Sequence, residues 1–185
     1  MKKLLIIILF AIGCNTNNDQ EINNASTNFW EIKYFVNQQN EFTDVGYITN
    51  KNPIIGTYTN SKGKMSPLKA KIMIKGKAIG IKLYENEDET AIKGNKQEPI
   101  EYEMEVKHNN KNINTIFRGI NETDVIVIGN IISSTQQTEL INYLKMGGKF
   151  QFHLKATNNK AYRFTIHDQS NLGFSTMFDT LNKGE

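Results

Sequence analysis

From Phe29 onward, apolar and polar residues alternate with a period of two in one segment after another. The segment from Ile100 to Val106 is the clearest example, because its apolar residues alternate with three glutamates. Successive side chains of a β-strand point to opposite faces, so this pattern is typical of half-buried strands. The sequence therefore predicts a mainly β domain. Further strands are expected at Phe29–Val36, Gly46–Thr49, Pro53–Asn60 and Ile113–Ile120.

Two pairs of segments predict hairpins. Leu68–Lys75 and Lys77–Tyr84 keep their apolar residues on one face if Lys75 pairs with Ala78, which leaves Gly76 and Lys77 as a two-residue type II′ turn. The second hairpin joins Lys149–Ala156 to Ala161–His167. Its apolar residues lie on one face if the loop has the three residues Thr157–Asn159. In the latter register His153 faces Arg163.

Three other segments depart from alternation. Val125–Ile132 is apolar almost throughout, which predicts a strand at the centre of a sheet covered on both faces. Helical spacing of apolar residues and the pair Gly147-Gly148 predict a helix at about 135–146. A short helix is expected from Ser170 to about Leu181, and its apolar face would be Leu172, Met177, Phe178 and Leu181.

Together these elements predict one globular β-rich domain over residues 29–185. We expect an antiparallel β-sandwich or open barrel of about eight strands, with one internal helix and a short C-terminal helix.

The first fourteen residues form a separate segment. Two lysines precede the nine apolar residues Leu4–Ile12, and Gly13 and Cys14 follow. A helix needs about 20 residues to span the core of a bilayer, so a run of nine is too short to be a transmembrane helix. A short apolar run after basic residues is instead typical of a secretory signal peptide. Its end, Ala11-Ile12-Gly13-Cys14, resembles the lipobox of bacterial lipoproteins, although Ala11 stands where that family most often has Leu. In that family the cysteine thiol receives a diacylglyceryl group and signal peptidase II cuts before it.

The resemblance implies that residues 1–13 are removed and that Cys14 holds the chain on a membrane. Cys14 is the only cysteine; the alternative is an ordinary signal peptide with an incidental cysteine. Residues 15–28 are polar except for Ile22 and Ala25, so residues 14–28 are expected to be a lipidated cysteine and a flexible tether. The implied location is extracytoplasmic in the bacterial cell envelope, and the outer membrane in a Gram-negative cell.

The overall charge argues against nucleic acid as a partner. Without Lys2 and Lys3, 20 of the 22 basic residues remain against 19 acidic ones. A nearly neutral domain lacks the basic field that nucleic-acid binding usually requires.

Motifs for catalysis or for cofactors are not evident. The three histidines show no zinc-ligand spacing, and no nucleophile elbow is present, so we predict no catalytic residue, metal site or cofactor. Paired carboxylates have no sequence signature, and an envelope hydrolase with such a site stays as the alternative function.

Charge is uneven along the chain. Between Val45 and Tyr84 there are eight lysines and no Asp or Glu. The predicted hairpin places Lys71 opposite Lys82 and Lys69 opposite Tyr84, and like charges directly opposite each other destabilise a sheet unless an anion is near. The anion could come from Glu101, Glu103 and Glu105 on an adjacent strand, or from an acidic envelope or protein partner. Lys69, Lys71, Lys82 and Tyr84 are therefore the candidate anion-binding residues.

Aromatic residues fall on both faces of the first predicted strand. Trp30 is either an exposed contact for a ligand or a core residue. The function we expect is a lipid-anchored extracytoplasmic binding or envelope-interaction module, held to the membrane through Cys14, with an unknown ligand. A purely structural lipoprotein would have the same sequence features.

Overall fold

The computed structural model describes residues 29–85, 91–129, 134–168 and 173–183. The predicted signal segment, Cys14 and the tether lie outside these ranges. Strands make up about half of the described residues, and eight of them form a closed antiparallel barrel. The mainly β fold with one internal and one short C-terminal helix is thus confirmed.

Eleven strands belong to one antiparallel sheet. They are β1 Trp30–Val36, β2 Phe42–Asn50, β3 Ile54–Thr59, β4 Met65–Lys75, β5 Ala78–Glu85, β6 Ile100–His108, β7 Lys111–Asn112, β8 Phe117–Asn121, β9 Ile126–Ile128, β10 Phe150–Ala156 and β11 Ala161–Ile166. The barrel runs β4-β3-β11-β10-β6-β8-β9-β5, and the β4–β5 pairing closes it. Of the two predicted architectures the barrel is the one found, and it is closed instead of open.

The β1–β2 hairpin extends the sheet outside the barrel. The eleven-residue β4 pairs with β5 on one side, and on its other side with β3 and then, at Met73 and Ile74, with β2. Near the base of the hairpin, α2 (Phe174–Leu181) packs against β1 and β2. The far half of β1 is exposed.

Both predicted hairpin registers are confirmed. Lys75 pairs with Ala78, and Gly76 has a φ of 51° whereas Lys77 has no positive φ, as a type II′ turn requires. In the β10–β11 hairpin Phe150 pairs with Ile166, and Asn159 takes the left-handed conformation with a φ of 61°.

The first helix contributes apolar residues to the core of the barrel. In α1 (Ser134–Met146) Leu140, Ile141 and Leu144 are buried in the same core as the barrel strands. The predicted helix at 135–146 is therefore confirmed. The C-terminal helix begins at Phe174, four residues later than predicted, and residues 170–172, including Leu172, lie outside the described part of the chain.

The prediction for Val125–Ile132 is wrong in one respect. Among the described residues of this segment, only Ile126–Ile128 form a strand, between β8 and β5. Val127 is 43% exposed, so this strand is covered on one face. Ile126 and Ile128 of this strand face the core, and residues 130–133 are outside the described ranges.

Candidate functional site

The four predicted anion-binding residues lie together on the outside of the barrel. Lys71 pairs with Lys82 and Lys69 pairs with Tyr84 across the β4–β5 ladder, and all four are partly exposed. Their positions follow from the strand period, because Ala70, Ile72, Ile81 and Leu83 point into the core. We call Lys69, Lys71, Lys82 and Tyr84 the lysine face.

One of the lysines has an acidic neighbour inside the protein. Lys82 Nζ lies 2.6 Å from Asp124 Oδ2, in the segment that precedes β9. The hydrogen bond from Lys82 lowers the pKa of Asp124. Because both side chains remain partly exposed, this ion pair contributes on the order of 0.2–1 kcal/mol.

The expectation that Glu101, Glu103 and Glu105 neutralise the hairpin is wrong. These glutamates stand on β6, which pairs with β10 and β8, and β8 and β9 lie between β6 and β5. Among the described residues, Lys69 and Lys71 have no carboxylate within ion-pair distance. Lys71 therefore faces Lys82, whose charge is balanced by Asp124, while no described carboxylate balances the charge of Lys71 itself.

Apolar side chains border the lysine face. Ile55 of β3 pairs with Lys69 and is 69% exposed. At the other end of β4, Lys75 Nζ lies 5.4 Å from the centroid of the Phe35 ring, which packs against Tyr47. The surface around the lysines therefore combines positive charge with exposed apolar groups.

The three glutamates belong to a second surface on the outside of β3, β11, β10, β6 and β8. Glu103 stands between Lys155 and Arg118 across the ladders, and Glu105 Oε1 lies 3.1 Å from Lys155 Nζ. An open concavity of about 840 Å³ lies over Glu101, Glu103 and Arg118. A neighbouring one of about 590 Å³ contains Glu105, His153 and Arg163. Opposite charges alternate here, so this surface is nearly balanced.

The histidines are scattered, as the sequence indicated. His153 faces Arg163, and its Nδ1 lies 4.0 Å from Glu105 Oε2. Partial burial, assisted by Arg163 and Lys155, lowers the pKa of His153. His108 stacks on Phe150 with ring centroids 4.7 Å apart. Within the described ranges no group of three His, Cys, Asp or Glu side chains could hold a metal ion.

Trp30 is a core residue and not an exposed contact. It is 1% exposed, and its ring lies 4.9 Å from that of Phe29 and 5.1 Å from that of Phe174. The alternation places it on the face of β1 that α2 covers, so of the two alternatives the core is the one found. Tyr34 and Phe35, further along β1, are 48% and 39% exposed.

Sequence reasoning missed a polar cluster inside one end of the barrel. The Tyr162 hydroxyl donates to Glu85 Oε1 at 2.9 Å, and Lys160 Nζ lies 2.8 Å from the same oxygen. The hydroxyl of Tyr102 is buried near these groups and has no hydrogen-bond partner among the described residues. Burial raises the pKa of Tyr102 to about 12. No motif marks this cluster, because the barrel assembles it from strands far apart in sequence.

None of the helices in the described part of the chain is long and apolar enough to cross a membrane. The chain matches no protein family, no curated protein and no solved structure with which it was compared.

Proposed function

We propose that the protein is a lipid-anchored, extracytoplasmic binding module of the bacterial cell envelope, and that its lysine face binds an acidic partner. The anchoring rests on the resemblance of Ala11–Cys14 to a lipobox. The binding site rests on one observation: Lys69 and Lys71 stand side by side on β4 with no carboxylate in ion-pair distance in the described structure.

The arrangement favours a partner because it opposes the stability of the sheet. Two lysines directly opposite each other cost tenths of a kcal/mol, up to about 1 kcal/mol. Asp124 relieves this repulsion at Lys82, but no carboxylate in the described part of the chain pairs with Lys71 or Lys69. An acidic partner would relieve the remaining repulsion between the lysines, and its affinity would fall as the salt concentration rises.

The hydrolase alternative has weaker support. A general acid of a glycosidase type needs a raised pKa, which comes from burial or from a second carboxylate. Lys155 instead lowers the pKa of Glu105, and Lys82 lowers that of Asp124, so both groups are held as carboxylates. If no acidic partner binds the lysine face, the concavity above Glu101 and Glu103 is the site at which to test for binding of a hydrolase substrate.

Affinity capture tests the binding proposal. The bait is the chain from residue 14 with Cys14→Ser, so that the lipid cannot mediate association, incubated with detergent-solubilised envelope at low salt. We expect an acidic protein, lipid or polymer to be retained, and to be lost with Lys69→Glu/Lys71→Glu. The matched control is Lys111→Glu/Lys183→Glu, which makes the same charge change at two other exposed lysines. Equal retention by both double variants would contradict the proposed site.

Lipidation is tested separately by mass spectrometry of the full chain made in a bacterium. We expect an N-terminal peptide that begins at Cys14 and carries a diacylglyceryl group. A mature chain that begins elsewhere, or an unmodified Cys14 thiol, would contradict the anchor.

A further inference from the structure

We propose that the acidic partner of the lysine face is the anionic phospholipid surface of the membrane that holds the lipid anchor, so that the domain lies against that membrane. This inference rests on the proposed function, because it names the partner of the same site.

The tether enters the domain close to the lysine face. Trp30, at the start of β1, pairs with Asn50 of β2, and Asn50 Oδ1 accepts a 2.7 Å hydrogen bond from the backbone N–H of Ile72 on β4. Ile72 is the neighbour of Lys71, so the start of β1 lies two strand spacings, or about 10 Å, from the lysine face.

The length of the tether suits this position. Residues 15–28 have a root-mean-square span on the order of 20 Å when flexible. An anchor at Cys14 would therefore hold Lys71 within reach of the lipid headgroups. The anchor also turns a weak surface contact into an intramolecular one, which raises the effective concentration of the membrane around the lysines.

The side chains around the lysines match a lipid interface. Ile55, which is 69% exposed, lies directly across from Lys69, and Phe35, which is 39% exposed, lies beneath the ammonium group of Lys75. Headgroups attract the lysines, while the interface below them accepts apolar and aromatic side chains. We call Lys69, Lys71, Lys75, Ile55 and Phe35 the extended lysine face. A soluble polyanion would use the charges but would leave the apolar residues in water.

Two of the described acidic residues near this surface are paired with other lysines. Asp124 is bound to Lys82, and Glu31 Oε1 lies 3.0 Å from Lys33 Nζ. Among the described residues the extended lysine face is therefore positive. Each lysine held near an anionic membrane raises partitioning roughly fivefold.

Binding to defined vesicles tests the inference. The Cys14→Ser chain is sedimented with vesicles of phosphatidylcholine alone or mixed with phosphatidylglycerol, at low and at high salt. We expect binding to the mixed vesicles at low salt only, and a loss of at least tenfold in partitioning with Lys69→Glu/Lys71→Glu. The control variant Lys111→Glu/Lys183→Glu is expected to change the partitioning onto the mixed vesicles by much less.

Substitution of two exposed isoleucines, one on the extended lysine face and one away from it, tests whether apolar side chains contribute to membrane binding. Ile55→Ser is expected to weaken binding to the mixed vesicles, whereas Ile116→Ser, which alters a 53% exposed isoleucine beside the Glu103 concavity, is expected to leave it unchanged. Circular dichroism confirms that each variant is folded.

The inference fails in two recognisable ways. Mixed vesicles that do not bind the chain, or that bind the Lys69→Glu/Lys71→Glu variant equally well, overturn the lipid partner. If the same double variant still loses an acidic protein or polymer in the capture from envelope, the proposed function survives that failure. If capture is also unaffected, both proposals fail.

Discussion

Lys82 and Asp124 form an ion pair of 2.6 Å between residues 42 positions apart in sequence. The pair lies at the edge of the lysine face, where Lys71 stands opposite Lys82. A double-mutant cycle with Lys82→Ala and Asp124→Ala, measured by urea unfolding, is expected to give a coupling energy of about 0.2–1 kcal/mol. A coupling of zero would mean that Asp124 does not relieve the opposed lysines.

The same pair predicts a pH dependence of stability. Because Lys82 lowers the pKa of Asp124 in the folded chain, the unfolded chain binds its proton first on acidification. The stabilisation is therefore complete above about pH 4, near the unfolded pKa of aspartate, and is lost as the pH falls through the lowered value. Asp124→Asn should be less stable at neutral pH, and the difference should shrink in acid. A difference that is constant with pH would contradict the ion pair.

Trp30 is expected to behave as a core residue. Trp30→Ala should destabilise the domain by about 3–5 kcal/mol, and Trp30→Phe by less, because the cavity left against Phe174 is smaller. Since Trp30 is the only tryptophan, its fluorescence in the folded chain should resist quenching by acrylamide and become accessible in urea. Strong quenching in the folded chain would contradict the burial.

Two buried tyrosines should respond differently to loss of the hydroxyl. Tyr162→Phe removes a 2.9 Å hydrogen bond to the carboxylate of Glu85 and should cost about 1.5–3 kcal/mol. The Tyr102 hydroxyl is buried without a hydrogen bond of good geometry in the described structure, and the nearby Asn121 side chain only partly offsets the effect of burial on its pKa, so Tyr102→Phe should cost much less than Tyr162→Phe. Chemical denaturation of the two single variants measures both effects. A cost for Tyr102→Phe as large as that for Tyr162→Phe would show that its hydroxyl is satisfied after all.

His153 should stay neutral to lower pH than an unfolded histidine. Partial burial and Arg163 lower its pKa, so an NMR titration of its ring should have a midpoint below about 6.5. Arg163→Gln should raise that midpoint. Because the folded pKa is lowered, the stability that His153 contributes is present above about pH 6.5 and is lost as the pH falls through the folded value. A midpoint at or above 6.5 in the wild-type chain would contradict this environment.

Local patterns were sufficient to predict most of the strands, the hairpin registers and the helix at 135–146, although β8 begins at Phe117 and not at the predicted Ile113. The two-residue turn at Gly76 leaves one register that keeps Ile72 and Ile81 on the same face, so the position of Lys71 opposite Lys82 follows from the sequence alone. The same alternation predicts the strand at Ile100–Val106, but it does not say which strands become its neighbours.

Long-range pairings account for what the sequence did not reveal. The barrel inserts β8 and β9 between β6 and β5, so Glu105 of β6 pairs with Lys155 and the glutamates of β6 lie away from the hairpin lysines. Closure through β4 and β5 also brings Glu85 beside Tyr162. Such contacts depend on strand order around the barrel, which alternation within each strand does not encode. Trp30 was ambiguous for a similar reason, because α2, which covers it, lies at the other end of the chain.

The most direct test of the account is the fraction of the Cys14→Ser chain that sediments with isolated envelope membranes as salt is raised. The account predicts association at low salt that disappears as salt screens the lysines, and its loss at all salt concentrations with Lys69→Glu/Lys71→Glu. Association that is independent of salt and equal in wild type, in this variant and in Lys111→Glu/Lys183→Glu would contradict the lysine face as the binding site.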